Sequence, residues 1–266
     1  VAPMDKTFKL IGGGISGTTP GSIGDTASWI IGALVCVAIV AAILGGRRQR
    51  RRFKFPLRPI WAEVFLASAG CALALGATWV INSYYWPKGV VDRYAAEVGI
   101  AVPPEGLFIS FGYSIPVLIA LGIGVAMTFM ATRTRFGRYV YATGGNPEAA
   151  ELAGINTKML TLKIFALMGG LAAVSACISS ARLDSATNSL GQFDELYVIA
   201  AAVIGGTSLA GGLGTIYGAI LGALVMQSLQ SGMTLLNFES AYKDMVVGSV
   251  LIFAVWVDQV YRRRVS

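Results

Sequence analysis

Residues 195–224 read ELYVIAAAVIGGTSLAGGLGTIYGAILGAL. The apolar run at 196–209 falls short of the ~20 residues a helix needs to cross the hydrocarbon of a bilayer, and it breaks up on Gly205, Gly206, Gly211 and Gly212. That pattern predicts a half-helix or a broken helix, with Thr207–Ala210 as a hinge between two glycine pairs. Gly214, Gly218 and Gly222 then recur every four residues, which predicts a single helix face of small residues. Such a face lets two transmembrane helices approach closely. Read instead as a phosphate cradle, the block lacks the lysine and the preceding strand that a P-loop requires.

Working outward, six longer apolar runs flank this one, at about 29–46, 61–81, 113–131, 161–181, 216–236 and 243–260. Apolar residues make up 55% of the chain and charged residues 13%, about half the charged share of a soluble domain. The fold expected is all-α: a polytopic transmembrane helical bundle forming one domain over 1–266. Pro116 sits near the start of the third of the seven runs, where it either kinks the helix or opens its first turn.

The net charge of +7 is unevenly placed. Arg47, Arg48, Arg50, Arg51, Arg52, Lys54 and Arg58 form one cluster, and Arg133, Arg135, Arg138, Lys158 and Lys163 a second. Arg262, Arg263 and Arg264 form a third. If each of the seven runs crosses once, all three clusters share a face. The positive-inside rule makes that face cytoplasmic, with 1–28 as an outer segment and the C-terminus inside. Most of the acids, among them Asp5, Asp25, Asp92 and Asp244, then lie opposite. A charge set distributed in this way is a topology and lipid-contact signal rather than a nucleic-acid surface.

Several chemistries are excluded by residue type. There is no histidine, so Cys/His zinc sites and a Ser-His-Asp triad are ruled out. The absence of a P-loop motif means the chain does not bind ATP by that route. Cys36, Cys71 and Cys177 fall inside apolar runs, where thiols act as small hydrophobes. No cofactor or metal is expected. The loop from Asn82 to Leu107 starts with Tyr84, Tyr85 and Trp86, which predicts an aromatic belt at the membrane surface.

The second informative stretch is GRYVYATGGNPEAAELAGI at 137–155, inside the basic segment 132–160. Asn146 suits an N-cap and Pro147 the first helical position. Glu148 and Glu151 suit the positive end, and Gly154 the terminating turn. Two turns of helix are unstable alone in water, so this segment is expected to present itself to another protein. Ala149, Ala150 and Ala153 would give it a small-residue face, flanked by the two acids.

Between the fourth and fifth runs lie Arg182, Asp184, Asn188, Gln192, Asp194 and Glu195. Two uses fit them: a solvated loop with a local Arg182–Asp184 pair, or a polar path in which Asn188, Gln192 and Glu195 meet a hydroxyl-rich solute. Asp258 and Arg262 have the spacing of a helical ion pair.

Taken together, 137–155, 195–224 and the preceding ARLDSATNSLGQFDEL at 181–196 resemble the permease subunits of bacterial ABC sugar importers, ribose/xylose-type branch. The opening VAPMDKTF resembles the outer segment that follows an early helix in xylose-type members, which implies an N-terminally truncated piece of a longer permease. The likeness implies cytoplasmic ABC ATPase subunits docked at Asn146–Gly154, a second permease subunit forming a homodimer, a periplasmic sugar-binding protein, and a place in the inner membrane. The solute implied is a sugar, a pentose such as xylose first. The alternatives are an ABC permease for a nucleoside or branched amino acid, and a passive channel or secondary transporter that would leave the docking helix idle. Cysteines introduced at Thr26 and Ser266 should label from opposite sides of the membrane; labelling of both from one side would refute the crossing pattern.

Overall fold

The computed structural model describes residues 5–13, 15–16, 19–53, 59–99, 107–185 and 188–263. These residues fold into helices, with one small ribbon near the start. The helices in chain order are α1 (Lys6–Ile11), α2 (Gly24–Arg52), α3 (Ile60–Asn82), α4 (Lys88–Val98), α5 (Ile115–Arg133) and α6 (Arg135–Gly145). They continue with α7 (Pro147–Leu152), α8 (Thr157–Leu183), α9 (Asp194–Ile204), α10 (Ile216–Leu235) and α11 (Ser240–Arg263). The ribbon pairs β1 (Ile15–Ser16) antiparallel with β2 (Thr19–Pro20).

Every apolar run contains a helix, and the run at 196–209 leaves its helix at Ile204. By length and composition, α2, α3, α5 and α8 can cross a membrane. At 1.5 Å per residue, the 20 residues of α10 and 24 of α11 reach about 30 and 36 Å, enough to match the hydrocarbon core. With 11 residues, α9 reaches only about 16 Å. Little of the four long apolar spans is buried within the chain, 11% at most, so their surfaces are left for lipid or for other subunits. Pro116 is the second residue of α5, in the first turn where a missing N–H costs nothing.

The chain divides into two compact units. The first holds Val1–Leu118 and Cys177–Ser185. In it α2 and α3 pack as a hairpin, locked at one end by Arg47 donating to Glu63 at 2.6 Å. Gly32 lets Thr78 come close, since a Cβ there would lie 2.7 Å from the Thr78 hydroxyl. Thr78 donates to the Ala74 carbonyl and shares a 2.9 Å hydrogen bond with the Tyr113 hydroxyl. Ser28 donates to the Gly24 carbonyl and accepts from the Tyr113 amide. Both hydroxyls are fully buried, and both are paired as burial demands.

The N-terminal segment is packed: Gly12 sits directly against the backbone of Ala181 and Arg182, where any Cβ would clash. Two readings from the sequence change here. Asp184 pairs with Lys9 on α1 at 2.5 Å, so its partner comes from distant sequence rather than from Arg182 two residues away. Trp86 is buried, with its ring edge-on to Tyr94 and Phe111. It therefore belongs to the core under α4 and not to a surface belt, whereas Tyr84 and Tyr85 are exposed. The Asp258–Arg262 side chains lie outside the described residues.

The second unit holds Ile119–Ala176 and Ala186–Ser266. Its core is Ala200 and Ala201 of α9, Met226 and Met233 of α10 and Val247 of α11, with Tyr197, Ile204 and Leu229 around them. α9 and α10 run antiparallel, and their backbones meet directly at Gly218 and Gly222. A Cβ on Gly218 would overlap the Gly205 carbonyl, and one on Gly222 would overlap the Ala201 carbonyl. Gly214 does not share that face. The helix begins at Ile216, capped by the Thr215 hydroxyl accepting from the Gly218 amide, so the four-residue spacing starts outside the helix.

A valine at Gly222 should push α9 from α10 and cost on the order of 3 kcal/mol, as overpacking does, read as a lower unfolding midpoint in detergent. Alanine at Gly248 on α11, where a Cβ meets open space, should be neutral or slightly stabilising. Equal midpoints for the two variants would remove the packing argument.

Candidate functional site

The stretch from Thr134 to Gly154 folds as its local chemistry dictates. Thr134 caps α6 by accepting from the Gly137 amide. Asn146 then ends α6 and starts α7, with its side-chain oxygen accepting from the Ala149 amide at 3.0 Å. Pro147 is the first residue of α7 and Glu148 lies in its first turn. At the other end Ile155 donates to the Ala150 carbonyl and Gly154 to that of Glu151. Gly154 takes φ +84, the left-handed conformation this double closure needs. A six-residue helix is thus satisfied at both ends.

Its faces differ from the sequence expectation in one respect. Pro147, Glu148, Ala149, Glu151 and Ala153 are exposed, but Ala150 is buried within the chain. Ala150 therefore cannot enter a partner's groove. The outermost apolar group is Leu152, 91% exposed. The sequence expectation does not include Leu152; its signal there is a single large apolar residue directly after Glu151.

The glycine block is a turn structure joining α9 to α10. α9 closes through Gly206 donating to the Val203 carbonyl and Thr207 to that of Ala202. Ser208 and Leu213 then pair across the loop at 3.0 Å, and the Ser208 hydroxyl accepts from the Ala210 amide. Gly205, Gly206, Gly211, Gly212 and Gly214 therefore lie in a hydrogen-bonded break, and only Gly218 and Gly222 lie within a helix.

Asn188 and Gln192 stand exposed in the turns before α9, and Glu195 is exposed in its first turn. The structure brings them onto one short polar stretch. Below it Tyr197 donates to Asp244 on α11 at 3.4 Å. This cross-link between α9 and α11 has no local signature in the sequence.

The family model described as "Branched-chain amino acid transport system / permease component" matches residues 28–255. The xylose transport system permease protein XylH of Escherichia coli is 36% identical over 264 residues, 99% of this chain and 59% of that protein. The ribose import permease protein RbsC of the same organism is 44% identical over 147 residues, 55% of this chain and 46% of that protein. The galactose/methyl galactoside import permease protein MglC of Salmonella typhimurium is 38% identical over 189 residues, 69% of this chain and 56% of that protein. The chain thus spans about three fifths of the length of the xylose permeases it matches. No solved structure matches it. The family match covers most of the chain and includes four helices long and apolar enough to cross a membrane, so the chain belongs to this permease-component family.

Proposed function

We propose that this chain is the membrane-spanning part of an ATP-driven sugar importer, and that α7 is where its ATPase docks. The observation that carries this reading is α7 itself: six residues capped at both ends, presenting Leu152 almost wholly to solvent. A helix so short has little stability of its own, and Leu152 gives it an apolar contact group, flanked by Glu151, that a partner surface can cover. Asn146, Pro147, Glu148, Ala149, Glu151, Leu152 and Gly154 form or shape the contact. Ala150 holds α7 to its own chain.

The work is divided by chemistry. The chain carries no ATP-binding motif, so hydrolysis belongs to cytoplasmic ABC ATPase subunits. Their closure would move α7, and alternating access would release solute inward. A second copy of the permease would complete the path, and a periplasmic binding protein would deliver the sugar. The basic clusters support a cytoplasmic C-terminus and an inner-membrane location.

The solute is a sugar, with xylose first: relatives matched over 97–99% of the chain carry that name, and ribose and galactose permeases match over shorter stretches. The family description favours a second reading, a branched-chain amino acid. Sugar is preferred because the individual relatives, at 34–44% identity, are sugar permeases. Asn188, Gln192 and Glu195 would offer the solute the donors and acceptors that hydroxyl groups need.

In the full-length permease, Leu152→Asp should abolish co-purification of the ATPase while leaving membrane insertion intact. Asn146→Ala should weaken it by about 1 kcal/mol, the worth of an N-cap. Undiminished capture by Leu152→Asp would contradict the docking assignment. In the same vesicles, alanine at Asn188, Gln192 and Glu195 should lower xylose uptake more than protein level. If uptake is unchanged in all three, the polar stretch is a solvated loop.

A further inference from the structure

The break between α9 and α10 is packed against α6, the helix that leads directly into α7. Tyr141 on α6 donates its hydroxyl to the Gly214 carbonyl at 2.9 Å, across 73 residues of sequence. One turn further on, Gly144 meets the backbone of Gly211 and Gly212. A Cβ on Gly144 would lie 2.6 Å from the Gly212 amide nitrogen, and one on Gly211 would overlap the Gly144 carbonyl. A Cβ on Gly212 would lie 2.9 Å from the Gly145 Cα. Two backbones touch here with no side chains between them.

Both sides of this contact are stiff. On one side, Asn146 is at once the C-cap of α6 and the N-cap of α7, so the two helices share a residue and no slack separates them. On the other side, the break is held by the Ser208–Leu213 pairing, and Gly205 abuts Gly218. A displacement of α7 therefore reaches α9 and α10 through backbone in contact. Where Gly144 and Gly145 meet Gly211 and Gly212, no side chain lies between the two backbones to absorb it by changing rotamer. Packed interfaces of this kind shift between discrete arrangements rather than deforming smoothly.

We propose that Tyr141, Gly144 and Gly145, clasped to Gly211, Gly212 and Gly214, are the positioning contact that passes movement of α7 to the α9–α10 hairpin. This rests on the importer reading and adds to it the joint through which the docking helix acts. The clasp touches neither solute nor ATPase. It acts by fixing where the half-helix sits relative to the docking segment.

The test uses the full-length permease reconstituted in proteoliposomes with its ATPase subunits and sugar-binding protein. Tyr141→Phe removes one hydroxyl and leaves the backbone contacts alone; Gly144→Ala inserts a methyl group into the joint. Sugar moved per ATP hydrolysed should fall about fivefold in Tyr141→Phe and about tenfold or more in Gly144→Ala. ATPase subunits should still co-purify with both. A contact that only holds the fold together would reduce the amount of assembled complex and leave sugar per ATP at the wild-type value, and that result would overturn the proposal. Should Gly144→Ala fail to assemble, Tyr141→Phe decides alone. A wild-type complex that captures no ATPase and moves no sugar contradicts the importer reading itself, so the two failures are told apart by the wild-type.

Discussion

Backbone-to-backbone contact between α9 and α10 is the constraint on which the second unit depends. In a bilayer, lipid tails are as apolar as leucine, so helices gain little from burying apolar side chains against each other. Close packing has to supply the attraction. At Gly205 against Gly218, and at Ala201 against Gly222, the chain reduces the side chains to hydrogen or methyl and lets main-chain atoms meet. That contact fixes the register of the hairpin. The hairpin's core comprises Ala200, Ala201, Met226 and Met233 together with Val247 of α11.

The second constraint is that each break in a helix must satisfy the backbone groups it releases. Among the described residues the chain meets it three times with the same device, the third at the end of α10 through Asn237. α7 ends through Gly154 and α9 through Gly206, each with a pair of amides reaching back to carbonyls of the last turn. A short helix closed in this way can end abruptly without orphaned polar groups. α9 can therefore stop after about 16 Å, and α7 can present a compact surface with Leu152 at its tip.

Local chemistry was legible in the sequence, whereas geometry set by distant residues was not. The Asn146 cap, the Pro147 start, the Gly154 stop and the break at Gly205–Gly206 are decided by a few neighbouring residues, and each forms as its chemistry requires. Spacing alone misplaced Gly214, because counting in fours does not reveal that Thr215 starts the helix. Ala150 looked like part of a docking face because burial is a property of the folded chain. The Lys9–Asp184 pair, the Trp86 core and the Tyr141–Gly214 bond all join residues far apart in sequence, and no pattern of residue types announces them. Of the candidate site, the capping residues could be read directly. The polar stretch at Asn188, Gln192 and Glu195 could only be placed.

The proposed docking places Leu152 of α7 against an ATPase subunit. The most direct measurement is cross-linking from a single cysteine introduced as Leu152→Cys in the full-length permease, with Cys36, Cys71 and Cys177 replaced by alanine. A docked α7 gives a short-reach cross-link to the ATPase subunit in inside-out vesicles, with the cysteine protected when ATPase is bound and reactive to reagent when it is stripped. Labelling of that cysteine from the outer face, or identical reactivity with and without ATPase, would contradict it.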